Sequence, residues 1–279
     1  MYLNILDPNQ NIEFITPGHN SEDIVRTGVI SDGSCLIHCI LFATSAKYRN
    51  TNIEHRKQIV EELRKSISES ISRDQYIELN NGEVSKLGFS EIFQKKLDNM
   101  YTNVDAQNGA LSFFKSVIYQ KDIESIIQEN INTDLNYIGS TIIIKIVDLF
   151  RYRLRKRNKF KDKIEKVVEI IKNLFQNIIT KSMMESYEDY KKDISLSSVH
   201  LGYSHLELLE SVFGYNLLFI DGKTRLSYNF GSPVVLKHEK NIVMVFFENH
   251  YEIIGIMNDT SIKRKFDNDD SFIIDLFVN

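Results

Sequence analysis

The 279-residue chain has no tryptophan, three prolines and two cysteines, Cys35 and Cys39. Two cysteines are too few for a disulfide framework or a four-cysteine zinc finger, which favours a reducing compartment. The chain also lacks a run of 18 uncharged apolar residues, so we expect no transmembrane helix. Residues 1–10 lack the basic and then apolar pattern of a secretory signal peptide. We therefore expect a cytoplasmic protein that does not associate with membranes.

Neither sign of charge is in large excess, since 34 basic and 38 acidic residues leave a net charge of −4. This balance gives no sign of a general affinity for nucleic acid or anionic membranes. Apolar residues make up 42% and charged residues 26% of the chain. Such usage is typical of globular proteins and excludes disordered and fibrous classes. The length predicts a substantial core in one or two domains.

Apolar residues at helical spacing dominate the first two-thirds of the chain, and they predict helices over residues 35–46, 53–72, 91–100 and 111–128. Residues 80–82 and Gly88 predict loops. A short helix is predicted over residues 204–213. Strand-like segments lie mainly in the last third, at residues 11–16, 215–221, 233–237, 241–247 and 251–257, the last two forming a hairpin. This order favours an α+β class over regular βαβ alternation.

Residues 151–172 form a basic stretch with ten lysines and arginines against three acidic residues. Apolar residues at helical spacing continue through it to Ile179, which predicts a long amphipathic helix. The basic face is either a solvated helix surface or a surface for nucleic acid or an acidic partner. The solvated surface is the simpler interpretation.

Cys35 is the best candidate for a nucleophile. It follows Asp32-Gly33-Ser34, a sequence typical of a helix start, so the thiol is expected in the first helical turn. Unpaired N–H groups and the helix dipole at that position would stabilise a thiolate. The bend could also aim backbone N–H groups at a point beside the sulfur, and Gly33 would allow close approach of a substrate. A buried structural cysteine is the alternative.

His250 is the best-placed base among the seven histidines, because it lies where the second strand of the predicted hairpin begins. Glu252 follows two residues later, and such residues share one face of a strand. A carboxylate there could accept the imidazole N–H and turn the other ring nitrogen toward a thiol. Asp32 is a second candidate for this acid. A surface histidine in the hairpin is the alternative.

A metal site is a further possibility, because Cys35, His38 and Cys39 lie within about one helical turn. Zinc would need a fourth ligand, and no second cluster of cysteine or histidine clearly supplies one. The sequence also lacks the Walker A and dinucleotide-binding motifs. We therefore expect no metal and interpret His38 and Cys39 as packing residues.

Asp32-Gly33-Ser34-Cys35-Leu36, followed far downstream by His250-Tyr251-Glu252, resembles the OTU (ovarian tumour) family of cysteine proteases. Further segments similar to that family follow in the same order: residues 28–30, His55-Arg56 with the apolar stripe of residues 59–71, residues 200–203, Glu207-Leu208 and residues 213–221. The resemblance implies a papain-like fold in which helices flank a small central sheet. It implies a single catalytic domain over residues 1–279, with a helical insertion at about residues 100–194.

The resemblance also implies a deubiquitinase that hydrolyses the isopeptide bond after the C-terminal glycine of ubiquitin or polyubiquitin, without a cofactor. Cys35 would be the nucleophile and His250 the general base and then acid. Backbone N–H groups of Asp32, Gly33 and Cys35 would line the oxyanion hole. The third catalytic residue stays open between Asp32 and Glu252.

Tyr251 and Tyr203 are expected near the channel that would hold the ubiquitin tail. Two other functions stay open: a protease for another ubiquitin-like modifier, and an inactive OTU-like scaffold that binds ubiquitin or another partner. We expect a monomer, and we do not favour nucleic acid as a partner. The composition suits a viral or bacterial effector that acts in the host cytoplasm.

Overall fold

The structure is a computed structural model that describes residues 4–17, 23–102, 109–130, 135–155, 164–230, 234–247 and 249–278. The chain divides into two compact units. One comprises Met1–Ser70 and Lys192–Asn279, and the other comprises Ile71–Lys191. The second unit overlaps the helical insertion that the sequence predicts at about residues 100–194.

The helices of the described residues are α1 (Cys35–Thr44), α2 (Ala46–Arg49), α3 (Ile53–Ser70), α4 (Arg73–Glu78), α5 (Glu83–Thr102), α6 (Gly109–Val117), α7 (Gln120–Asn130), α8 (Leu135–Arg155), α9 (Ile164–Ser195), α10 (Tyr203–Phe213) and α11 (Ser271–Ile273). A 3-10 turn covers Leu79–Gly82, and a π-helical turn covers Ile274–Val278. No helix of this part of the chain is both long and apolar enough to cross a membrane.

The strands are β1 (Asn11–Glu13), β2 (Ile24–Thr27), β3 (Asn216–Asp221), β4 (Ser227–Tyr228), β5 (Lys240–Phe247), β6 (His250–Asn258), β7 (Ser261–Lys263) and β8 (Phe266–Asp267). They form one sheet in the first unit with the order β1-β2-β6-β5-β3-β4, while β7 pairs with β6 and β8 with β5. β3 and β5 run parallel, and the other pairs are antiparallel.

Helices flank this sheet, which confirms the predicted α+β class with a central sheet. α1 packs against β6 and β5, and α10 packs against β3. β5 and β6 form the predicted hairpin, in which Phe247 pairs with His250. Since successive side chains of a strand alternate in direction, His250 and Glu252 share one face of β6 and Tyr251 lies on the other.

The second unit is helical and has its own apolar core. Phe114 lies at its centre, with ring centroids 5.3 Å from Phe150 and 5.6 Å from Phe175. All three rings are almost fully buried. Three aromatic side chains from α6, α8 and α9 therefore hold these helices together through apolar contact.

Gly88 does not lie in a loop, as the sequence predicts, but inside α5. A Cβ atom there would come within 2.4 Å of the Ser186 hydroxyl oxygen and 2.9 Å of the Tyr76 hydroxyl oxygen. The loop prediction was wrong because this glycine permits close packing rather than a turn.

Two further element predictions were wrong. Residues 111–128 do not form one helix, since α6 ends at Val117 and α7 begins at Gln120. The N–H of Tyr119 instead donates to the Asp122 carboxylate at the start of α7 (2.8 Å). Residues 234–237 are not a strand, and Pro233 lies outside the described residues.

The described parts of the basic stretch 151–172 are helical, since they belong to α8 up to Arg155 and to α9 from Ile164. Residues 156–163, which hold much of the basic charge, lie outside the described residues. Arg151 forms an ion pair with Glu165 (2.8 Å) on the surface of this unit. At least part of the basic charge is therefore paired within the unit.

Candidate functional site

Cys35 is the first residue of α1, as predicted, and its side chain is 2% exposed. The loop before it is closed by Asp32, whose Oδ1 accepts the Ser34 N–H (2.8 Å) and whose carbonyl accepts the Cys35 N–H (3.2 Å). The carboxylate of Asp32 thus holds the turn that leads into the helix, while the Ser34 hydroxyl makes no capping bond.

The Cys35 sulfur lies beside β6. Burial raises the pKa of the thiol to about 11, although hydrogen bonds from the backbone N–H groups of Tyr251 and Leu36 act to lower it. The charge of Asp32 adds to the increase. Cys35 is therefore a neutral thiol at pH 7, and the backbone of Tyr251, the residue after His250, is among the groups that favour its thiolate.

His250 is the first residue of β6 and is buried. Burial lowers the pKa of the imidazole to about 4, whereas the charge of Asp32 acts to raise it. Neither ring nitrogen has a hydrogen-bond partner within the described residues. The thiol and the imidazole are therefore both neutral at pH 7, and they are not hydrogen-bonded to each other.

Glu252 shares the face of His250, as predicted, but is not bonded to it. Its Oε1 lies 3.7 Å from His250 Nε2, which is too far for a hydrogen bond. The same oxygen accepts the Leu6 N–H (2.7 Å), and Oε2 lies 3.1 Å from Arg26 Nη1. Arg26 and Leu6 thus hold the carboxylate away from the imidazole.

Asp32 is the other carboxylate near the pair, and it is half-buried. Its Oδ2 lies 3.2 Å from His38 Nε2, and His38 Nδ1 is hydrogen-bonded to the Tyr48 hydroxyl. Burial acts to raise the pKa of Asp32, but the His38 and Ser34 hydrogen bonds outweigh it, so this pKa lies below its usual value. Asp32 is therefore an ionised carboxylate.

His38 is more than the packing residue that the sequence predicts, since it links Asp32 to Tyr48 across a buried hydrogen-bond chain. The separation of Cys35 and His38 along the sequence was a partial indication that the two side chains lie near each other. His38 lies one helical turn after Cys35, so its side chain lies over the same end of α1 as the loop. The sequence offered no sign of Tyr48 as the second partner.

The backbone groups predicted for an oxyanion hole lie in the loop before α1. The Asp32 N–H donates to the Ile30 carbonyl (3.2 Å), and the Cys35 N–H donates to the Asp32 carbonyl (3.2 Å). Both bonds are at the long limit for N–H···O geometry. These two donors are engaged within the loop and would have to turn to bind an oxyanion.

Gly33 is needed for packing rather than for substrate access. A Cβ atom there would lie 2.4 Å from the Ser197 carbonyl oxygen and 2.8 Å from the Val199 carbonyl oxygen. The Gly33 carbonyl also accepts the Leu201 N–H (3.3 Å). The segment 197–201 therefore covers this glycine, which corrects the reason that the sequence suggested for it.

Tyr251 and Tyr203, the two predicted channel residues, belong to one aromatic cluster. Tyr251 is buried and its ring lies 5.6 Å from Phe219, while Tyr203 is 40% exposed and lies 5.6 Å from Phe230. Phe219 and Phe230 join the two ends at 5.2 Å. The cluster therefore runs from the strand beside Cys35 to the surface.

Phe230 contacts more rings of this cluster than the predicted tyrosines do, yet the sequence did not single it out. Its backbone has φ of 50°, an uncommon conformation for a bulky side chain. It also contacts Tyr228 (4.7 Å) and Phe246 (5.6 Å). No local pattern could reveal it, because its neighbours come from β3, β4, β5 and α10.

No group of three histidine, cysteine, aspartate or glutamate residues in the described ranges is arranged to hold a metal ion. Cys35 and Cys39 are both free and buried.

Comparison with solved structures gave a distant likeness. No protein-family model matches the chain, and no curated protein matches it. A solved structure described as "Structure of Ovarian Tumor (OTU) domain in complex with Ubiquitin" aligns over 98% of this chain and 89% of that chain. The identity is 10% and the TM-score is 0.38, which is too low to assign a family.

The burial of two neutral histidines predicts that acid weakens the fold. Burial lowers the pKa of both His250 and His205 to about 4, against about 6.5 in an unfolded chain. Between these values the unfolded chain binds more protons, so stability is fully present above pH 6.5 and is lost as the pH falls toward 4. Each histidine should account for about 3 kcal/mol of this loss.

Urea unfolding at several pH values between 4.5 and 7.5 measures the effect. His250→Gln should reduce the dependence of the unfolding free energy on pH, whereas His55→Gln at an exposed position of α3 should leave it unchanged. An equal pH dependence in the wild type and His250→Gln would contradict the prediction.

Proposed function

We propose that the chain is an OTU-like cysteine hydrolase that cleaves the isopeptide bond after the C-terminal glycine of ubiquitin. The main support is the position of Cys35 at the start of α1, a helix that packs against β6, the strand that begins at His250. The choice of ubiquitin rests on the resemblance of the Asp32–Leu36 and His250–Glu252 sequences to that family.

In the proposed reaction Cys35 transfers its proton to His250 and its sulfur bonds to the carbonyl carbon of the terminal glycine. The tetrahedral intermediate then releases the lysine amine, which takes the proton from His250. Water, activated by His250, cleaves the thioester and restores the thiol. Since the resting pair is neutral, the proton moves during attack rather than before substrate binds.

We assign the third role, support of the His250 imidazolium, to Asp32 rather than Glu252. The charge of Asp32 favours the protonated imidazole. Glu252 is committed to Arg26 and Leu6. A carboxylate that stabilises the imidazolium lowers the barrier to proton transfer from the thiol.

The aromatic cluster is the proposed channel for the ubiquitin tail. Its rings lead from the exposed Tyr203 to the buried Tyr251 beside Cys35. A narrow passage between such rings admits glycine but not larger side chains. Exposed tyrosine rings also attract arginine, which the ubiquitin tail carries.

An inactive ubiquitin-binding scaffold is the second candidate. It is favoured by the neutral state of Cys35 and His250 and by the lack of a hydrogen bond between them. The aromatic cluster could then hold a ubiquitin tail without any reaction at the thiol.

Ubiquitin with an electrophile at its C-terminus separates the two candidates. We expect a covalent adduct at Cys35, located by mass spectrometry of the digested protein. Binding without an adduct would identify the scaffold. An adduct only with probes built on other ubiquitin-like modifiers would leave the thiol chemistry in place and change the substrate.

A further inference from the structure

We propose that Arg64 is a positioning residue for the nucleophile: its buried guanidinium fixes the peptide before Cys35 and supplies a permanent positive charge behind the loop. The proposal rests on Cys35 being the nucleophile of the proposed function. Arg64 lies on α3 and is fully buried. In the sequence, Arg64 is one of several charged residues on the polar face of a predicted amphipathic helix.

The guanidinium makes five hydrogen bonds within the first unit, and together they join two segments of the chain. The acceptors are the carbonyl of Gly33 (3.0 Å) and the hydroxyl of Ser34 (2.8 Å) on one side, and the carbonyls of Asp193 (2.8 Å), Ile194 (2.6 Å) and Val199 (3.0 Å) on the other. Only the planar fork of arginine matches so many acceptors at once.

The bond to Gly33 reaches the active-site carboxylate through one peptide group. The peptide that joins Gly33 to Ser34 is planar, so its carbonyl and its N–H point in opposite directions. Arg64 holds the carbonyl, and Asp32 Oδ1 accepts the N–H of the same peptide (2.8 Å). Fixing the carbonyl therefore fixes the direction in which Asp32 is held.

The charge of Arg64 acts on the same residues. Burial lowers the pKa of the guanidinium to about 10, while the charges of Asp32 and Cys35 act to raise it. Arg64 therefore remains positively charged at pH 7. An interaction between two charges is mutual, so the guanidinium favours the Asp32 carboxylate. It is also bonded to Ser34, the residue before Cys35, and from there it favours the thiolate that forms during attack.

Arg56 provides a matched control on the same helix. It is also buried, and it donates to the Tyr48 carbonyl (3.0 Å), the Asn9 side chain (2.7 Å) and the Arg49 carbonyl. None of these acceptors lies in the loop before Cys35. Loss of Arg56 should therefore weaken the fold in the same manner as loss of Arg64, but without disturbing the loop.

The test compares Arg64→Lys with Arg56→Lys in the full chain, using hydrolysis of ubiquitin that carries a C-terminal fluorogenic amine. Lysine keeps the positive charge but lacks the planar guanidinium that can donate to several acceptors at once. We expect Arg64→Lys to lower kcat by about 10- to 100-fold, as misplaced reacting groups do, with KM within about twofold. Arg56→Lys should lower the unfolding midpoint and keep kcat. Equal kcat losses in the two variants would overturn the proposal.

A second readout needs no ubiquitin. The rate at which iodoacetamide alkylates Cys35, resolved by mass spectrometry across pH, reports the thiol pKa. Arg64→Gln, which removes the charge, should raise this pKa by about one unit and so slow alkylation about tenfold at neutral pH. An unchanged profile would overturn the charge role. If the wild type cleaves no ubiquitin substrate but this shift appears, the proposed function fails and the inference stands.

Ser34→Ala keeps the proposal testable if the Arg64 variants do not fold. It removes one acceptor from the guanidinium and leaves Gly33 and the α9 contacts in place. A reduced kcat with unchanged KM supports the positioning role, and an unchanged kcat overturns it.

Discussion

Replacing Cys35 with alanine should lower the hydrolysis of a ubiquitin conjugate by about 10⁴- to 10⁶-fold, because no other group can form the thioester. Cys39 is the matched control. It lies one turn further along α1, is also buried, and is not placed in the proposed reaction. Cys39→Ala should therefore retain turnover and lose only stability. A similar loss in both variants, or none in Cys35→Ala, would contradict the assignment.

His250 should act as a unit with Cys35. His250→Ala should cost about as much as Cys35→Ala, and the double variant should be no slower than the slower single variant, since residues of one mechanism are not additive. Additive losses would mean that the two residues act independently. The measurement is kcat/KM for the three variants at one pH, with circular dichroism to verify the fold.

The sequence was enough to place Cys35 at the start of a helix and His250 at the start of a strand, because each follows a recognisable local signal. It could not choose between Asp32 and Glu252. The contacts that hold Glu252 come from Leu6, which is 246 residues away in sequence, and from Arg26 on β2. The contacts of Arg64 could not be predicted for the same reason, since its acceptors lie in the loop before α1 and near the end of α9.

The fold was predictable where a periodic pattern is long. α3, β3 and the β5–β6 hairpin follow the pattern closely. Strands of two to four residues, such as β2 and β4, were missed because so short a segment shows no period. Gly88 was misread because its role depends on Ser186, a residue that local sequence cannot bring near.

Replacing Glu252 with alanine should destabilise the protein by about 3–5 kcal/mol, because it leaves the buried guanidinium of Arg26 without its counter-charge. Both side chains of this ion pair are almost completely buried, and the pair spans β2 and β6. The loss of the bond to the Leu6 N–H adds to the effect. Urea unfolding measures the difference from the wild type.

The pair between Lys240 and Asp267 is the matched control, since its atoms approach to 2.6 Å but its side chains are 48% and 54% exposed. Asp267→Ala should change the unfolding free energy by no more than about 1 kcal/mol, because water screens an exposed pair. If Glu252→Ala and Asp267→Ala lower the unfolding free energy equally, the burial of the Arg26–Glu252 pair does not add to its contribution.

Two further variants, Glu252→Gln and Asp32→Asn, separate a structural from a catalytic role for Glu252. If Glu252 only anchors Arg26 and Leu6, then Glu252→Gln should lower stability while each folded molecule keeps most of its kcat. Asp32→Asn should do the reverse, since it removes the charge that favours the protonated His250. A large fall in kcat for Glu252→Gln at a denaturant-free, fully folded condition would return the third catalytic role to Glu252. The 3.7 Å separation would then have to close when substrate binds.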